Sequence, residues 1–220
     1  MAERKKKRIS RKERSRIDTV LKRLDDEYGV EIATYLSHKS AFELLIATML
    51  SAQCTDARVN MVTPALFDRY PFPQDFAEAD ITELENYIRS TGFYHNKAKN
   101  IIECCKMLVN EYNSEVPSDI DELVKLPGVG RKTANVVRGN VFNQPSIVVD
   151  THVKRVSGRL GFTKETDPVK VEFDLMDILP EENWIRYNIQ IIALGRAICK
   201  APKARCRDCF LIDLCPSGAV

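Results

Sequence analysis

A chain of 220 residues, 44% of them hydrophobic, can bury a core of its own in one large domain or two smaller lobes, which excludes a disordered or fibrous protein. Its formal net charge of +2 is unevenly spread: residues 1 to 16 carry nine Lys/Arg against Glu3 and Glu13, a balance of +7, so the other 204 residues sum to −5. With no run of about 18 apolar residues to span a bilayer and no apolar stretch of a secretory signal, an intracellular protein with no membrane partner is expected.

Residues 1–16 read as a basic, disordered tail, either an arm that tethers DNA or addresses the chain, or a merely solubilising end. In a eukaryote the Lys-rich residues 4 to 8 suit a nuclear signal and the arm as a whole a mitochondrial presequence; in a prokaryote the location would be cytoplasm or nucleoid.

Helical signals follow in order. Ile17, Val20, Leu21, Leu24 and Tyr28 recur at three and four positions and predict a helix over 17–28. Ser40 with Glu43, Asp80 with Glu83 and Asp119 with Glu122 read as capping boxes that open helices over 41–52, 82–90 and 119–126. Another helix is predicted over 56–70, and the stripe Ala98, Ile101, Ile102, Cys105, Leu108, Val109, Tyr112 predicts one over 95–112. Helices over 131–142, 151–160, 168–179 and 182–198 complete the set, the third announced by Asp167-Pro168, a cap followed by proline at the first helical position. Ile147-Val148-Val149 alone is strand-like, and it is too short and isolated to found a sheet. The predicted fold class is all-α.

Three motifs carry chemistry. Leu126-Pro127-Gly128-Val129-Gly130-Arg131-Lys132 reads as a hairpin whose glycines allow a tight turn, so that the amides of Gly128, Val129, Gly130 and Arg131 can press on a phosphate where the next helix begins. A lysine at that helix start, partly buried, would be pushed toward the neutral amine that attacks carbon. Asp150 closes the apolar run and either caps the following helix or holds a carboxylate for chemistry; His152 more simply satisfies a local hydrogen bond.

Seven cysteines are an odd number, and an intracellular chain is not expected to build a disulfide framework from them. Cys54, Cys104 and Cys105 lie on apolar segments and read as small core residues. Cys199, Cys206, Cys209 and Cys215 form C-x6-C-x2-C-x5-C, a set of four thiolates around one centre that suits either zinc or an iron-sulfur cluster by ligand chemistry alone.

The strings LPGVGRKTANVV and VVDTHVKRVSGRLG, with the four-cysteine spacing, resemble the endonuclease III family of helix-hairpin-helix DNA glycosylases, in matching order over residues 17 to 216. The resemblance implies two helical lobes, a six-helix barrel over 34–144 that carries the hairpin and a cluster-bearing domain made of 17–33 and 145–220, with a DNA cleft between them. It implies Lys132 as the nucleophile and Asp150 as the essential carboxylate. Gln53 matches the glutamine that fills the hole left by an extruded base, and Phe93 stands where a leucine wedge is common. Asp56 matches a pocket-side acid, its plain alternative being a helix cap. The cysteines are implied to hold a 4Fe-4S cluster, with Lys200, Lys203, Arg205 and Arg207 gripping the DNA backbone.

The function implied is that of a bifunctional glycosylase and abasic-site lyase, acting as a monomer on double-stranded DNA that carries an oxidised pyrimidine or an abasic site. A uracil or thymine mismatch glycosylase of the same fold, or a non-catalytic hairpin module that binds DNA, are the alternatives.

Overall fold

The computed structural model describes residues 9–31 and 34–218, and among them there is no strand. The fold is all-α. It divides into two compact units, one of residues 34–144 and the other of the segments before 34 and from 145 onward.

Helix α1 spans Arg11–Tyr28, so residues 11–16 belong to a helix and not to a tail. The reason is local: the Ser10 hydroxyl accepts from the Glu13 amide at 3.1 Å, a cap six residues earlier than the apolar stripe suggests. The stripe itself is buried through Ile17, Val20, Leu21 and Leu24. The expectation for residues 1–8 lies outside the described residues.

In the 34–144 unit, α2 (Ala41–Leu50) is apolar on nearly every face and accordingly central, packing on α3 (Asp56–Arg69), α6 (Tyr94–Glu111) and α8 (Arg131–Asn140). Between these come α4 (Pro73–Ala77), α5 (Ile81–Ile88) and α7 (Ile120–Leu123). Ser40, Asp80 and Asp119 each accept from amides in the first turn of their helix, as the sequence predicts. The helix predicted over 119–126 is shorter, four residues, because the chain leaves it in turns that lead into Pro127. Cys104 and Cys105 are buried in this core, and burial pushes the Cys104 thiol up to about 12.

In the other unit, α9 (Thr151–Arg159) and α1 pack on α11 (Trp184–Ala197), with α10 (Pro168–Ile178) completing the core. Ile147, Val148 and Val149 are buried here as single extended chain. The amide of Val148 donates to Asn188 Oδ1 at 2.9 Å, so a side chain satisfies what a neighbouring strand would otherwise satisfy.

Candidate active site and nucleic-acid interface

The two hairpin glycines do different work. Gly128 is left-handed at φ +76°, and a Cβ on it would lie 2.8 Å from Asn100 Cβ and 3.0 Å from Met49 Cε; no side chain fits between the turn and the faces of α6 and α2. Val129 is buried, and its amide donates to Leu126 O at 3.0 Å, which fixes the turn from inside. Gly130 has an ordinary φ of −88°, and a Cβ there would meet nothing within 4 Å. It is the N-cap of α8, and as a glycine it supplies no side-chain cap to that helix start. The hairpin is therefore closed on its Gly128 side and open on its Gly130 side.

Lys132 stands in the first turn of α8 and is exposed; the partial burial expected of it is absent, because the buried face of the helix begins only at Ala134. In its own unit, Asp150 is half-buried and caps α9, its carboxylate accepting from the Val153 amide at 2.7 Å. His152 lies 3.1 Å from Arg155 through Nδ1, and burial pushes its pKa down, with the charge of Asp150 opposing and those of Arg155 and Arg196 assisting. A Cβ on Gly195 would come within 2.7 Å of His152 Nδ1, so the ring occupies space that only glycine leaves. His152 is a packed, locally bonded residue, as the plain reading has it.

Gln53 and Phe93 both adopt left-handed backbone, φ 53° and 50°, and both line one cavity of about 190 Å³ with Met49, Ala52, Asn96, Lys97, Asn100 and Gly128. Phe93 exposes 62% of its surface, too much for a core aromatic. The residue that sequence reasoning missed is Lys97, a buried cation in the same cavity wall. Its signal was its spacing, since it falls on the core stripe of α6 one turn before Ile101. Asp56 does not cap α3; Thr55 does, accepting from the Arg58 amide.

Cys199, Cys206, Cys209 and Cys215 are half-buried free thiols that share one cavity of about 790 Å³ with Arg159, Lys203, Arg205 and Arg207. They lie near enough that the charges of the other three all raise the Cys209 thiol, after burial itself. Among the described residues no group of three His, Cys, Asp or Glu side chains is already gathered to hold a metal ion. Four thiols lining one cavity form the soft sulfur donor set that a zinc ion or an iron-sulfur cluster takes. Arg159 donates to Cys199 Sγ at 3.3 Å and to the carbonyls of Lys200 at 2.8 Å and Pro202 at 3.0 Å. The Cys215 thiol returns a bond to Arg159 O. Lys200, Lys203, Arg205 and Arg207 are all exposed, and Arg205 also holds the loop through Ala197 O at 2.7 Å.

The hairpin at 126–132, followed by an exposed lysine on the first turn of α8, is the geometry that similar proteins place in context. A model of the HhH-GPD superfamily of base excision DNA repair proteins matches residues 46–181. Endonuclease III of Synechocystis sp. is 53% identical over 184 residues, 83% of this chain and 84% of that protein. Endonuclease III of Bacillus subtilis is 52% identical over equal shares. A solved structure of a trapped endonuclease III–DNA covalent intermediate, an estranged-adenine complex, matches with a TM-score of 0.88 at 48% identity, over 93% of this chain and 96% of that one. The chain belongs to the endonuclease III family and is a base excision repair DNA glycosylase. Among the described residues no helix is long and apolar enough to cross a membrane.

Proposed function

We propose that this chain removes oxidised or ring-saturated pyrimidines from double-stranded DNA and cleaves the resulting abasic site by lyase chemistry, acting as a monomer. The observation that carries the reading is the open side of the hairpin: Gly130 leaves the start of α8 without a side-chain cap, and Lys132 stands exposed in that same turn. Amides at a helix start take a phosphate oxygen, which would set a sugar beside the amine. The Lys132 nitrogen then bonds to C1′ as the bond to the base breaks. Asp150, already ordered as a cap, stabilises the positive charge that develops on the sugar and takes part in moving the lysine's proton. With the sugar opened as a Schiff base on Lys132, loss of a C2′ proton expels the 3′ phosphate.

Gln53 and Phe93 are the groups read as filling the gap and wedging the stack when a base is extruded, and their left-handed turns support this by presenting both at one cavity. The four thiols at 199, 206, 209 and 215 are read as the holders of a 4Fe-4S cluster, which when bound cross-links the loop at four points. Lys200, Lys203, Arg205 and Arg207 would then meet DNA phosphates from that loop. Absence of absorbance at about 400 nm and of iron in anaerobically purified protein would speak against the cluster.

One experiment tests the chemistry. Duplexes carrying thymine glycol, uracil or an abasic site are incubated with the protein and treated with borohydride; a covalent adduct is expected, and Lys132→Ala should abolish it. Asp150→Asn, which keeps a good cap, should retain the fold and slow base release by about 10²- to 10⁴-fold. Release of uracil or thymine without trapping would assign a mismatch glycosylase, and binding with neither a non-catalytic hairpin module.

A further inference from the structure

Lys97 is a buried cation that the chemistry above leaves without a role. It is 7% exposed on the core face of α6, and its ammonium donates to Leu50 O at 2.8 Å and to Thr91 O at 2.9 Å. These two acceptors belong to different segments. Leu50 is the last residue of α2, where backbone carbonyls run out of helical partners, and Thr91 closes a short 3-10 turn after α5. Each segment next enters left-handed backbone: Gln53 at φ 53° after the first, then Gly92 at φ 72° and Phe93 at φ 50° after the second. Non-glycine side chains rarely adopt such angles unless their surroundings hold them there. The cavity wall that Gln53 and Phe93 share also contains Lys97.

We propose that Lys97 is a positioning residue for base extrusion, its ammonium tying the end of α2 to the turn before α6 so that Gln53 and Phe93 are presented together. This rests on the reading of those two side chains given above. A lysine suits the task because one nitrogen must reach two carbonyls on separate segments, and an ammonium carries three donors on a long stem. Burial pushes the Lys97 pKa down while the neighbouring Cys54 opposes it, and the two carbonyl acceptors satisfy the ammonium out of water. A neutral, apolar side chain of similar length would fill the same space and leave both carbonyls without a donor, so the two segments would lose their common fastening.

The test separates extrusion from chemistry. Lys97→Met is compared with the wild type in three assays: fluorescence of 2-aminopurine opposite a lesion, which reports unstacking; base release from duplex DNA; and borohydride trapping on an abasic site in single-stranded DNA, where no stack has to be opened. Lys97→Met is expected to lose the fluorescence change and to slow duplex release by about 10- to 100-fold, while single-strand trapping stays within about twofold. Lys97→Gln, which restores a donor, should recover part of the loss. Equal losses in duplex release and single-strand trapping would make Lys97 a general structural residue and overturn the proposal, as would a Lys97→Met that matches the wild type throughout or a pair of variants that both fail to fold. A wild type that neither traps abasic DNA nor perturbs 2-aminopurine overturns the functional reading itself, so the two failures are told apart.

Discussion

The hairpin at 126–132 and the cysteine loop at 199–215 are both irregular segments, and they keep their shapes by different balances of packing and hydrogen bonding. The hairpin is held by apolar burial and close fit, with Leu126 and Val129 in the core and Gly128 against Met49 and Asn100. The cysteine loop buries only Leu211 fully, with Phe210, Leu214, Cys199, Cys209 and Cys215 half-buried against the same core. Arginine side chains hold it further: Arg159 at Lys200 O and Pro202 O, Arg155 at Cys199 O, Arg205 at Ala197 O and Arg23 at Phe210 O. A turn fixed by packing is formed as soon as its core forms. A loop fixed by cations around four thiols has like charges to offset whenever those thiols ionise, and its guanidinium groups do this while satisfying carbonyls.

The largest effect is expected from breaking the loop's cationic support. Arg159→Met removes charge-assisted bonds to three carbonyls and a sulfur, a loss of about 3 kcal/mol. Limited trypsin digestion should cut faster at Lys200 and Lys203; an unchanged digestion rate would contradict the account. Gly128→Ala comes next, since it combines an unfavourable φ with a Cβ contact of 2.8 Å against Asn100. It should lower stability by about 1 to 3 kcal/mol in a thermal melt, with the rest of the core unchanged. Gly130→Ala should be the smallest in stability, within about 0.5 kcal/mol, because open space surrounds the site. Its effect should appear instead as weaker DNA binding in a titration at fixed salt. If both glycine variants melted alike, the distinction between the closed and open sides of the hairpin would fail.

The sequence disclosed what periodicity and ligand spacing can carry. The stripes of α1 and α6 were legible because buried residues recur at the helical period, and the four cysteines because thiols so closely spaced near one another are costly without a shared role. Helix α4 was missed: with five residues it is too short to show a period, and it is set by Pro73 at its first position and by Asp75, which accepts from the Phe72 amide at 2.8 Å. The start of α1 was placed late because a charged first turn reads as a tail until Ser10 is recognised as its cap. Lys97 was hidden by its own chemistry, since a lysine on an apolar stripe looks like a snorkelling surface residue until the carbonyls it reaches are known. The hairpin glycines could be located but not told apart, because which of two glycines abuts another helix is a fact of tertiary packing.

Arg16 donates to Leu160 O at 2.9 Å and to Leu214 O at 2.8 Å, the latter one residue before Cys215. An early helix therefore closes on a segment 198 positions later. On the ribosome, the 34–144 core has all its members once that stretch has emerged, while the buried stripe of α1 finds its partners only as the segment from Ile147 to α11 is made. The order of translation thus sets the interval during which the apolar stripe of Ile17, Val20, Leu21 and Leu24 waits for the partners that cover it.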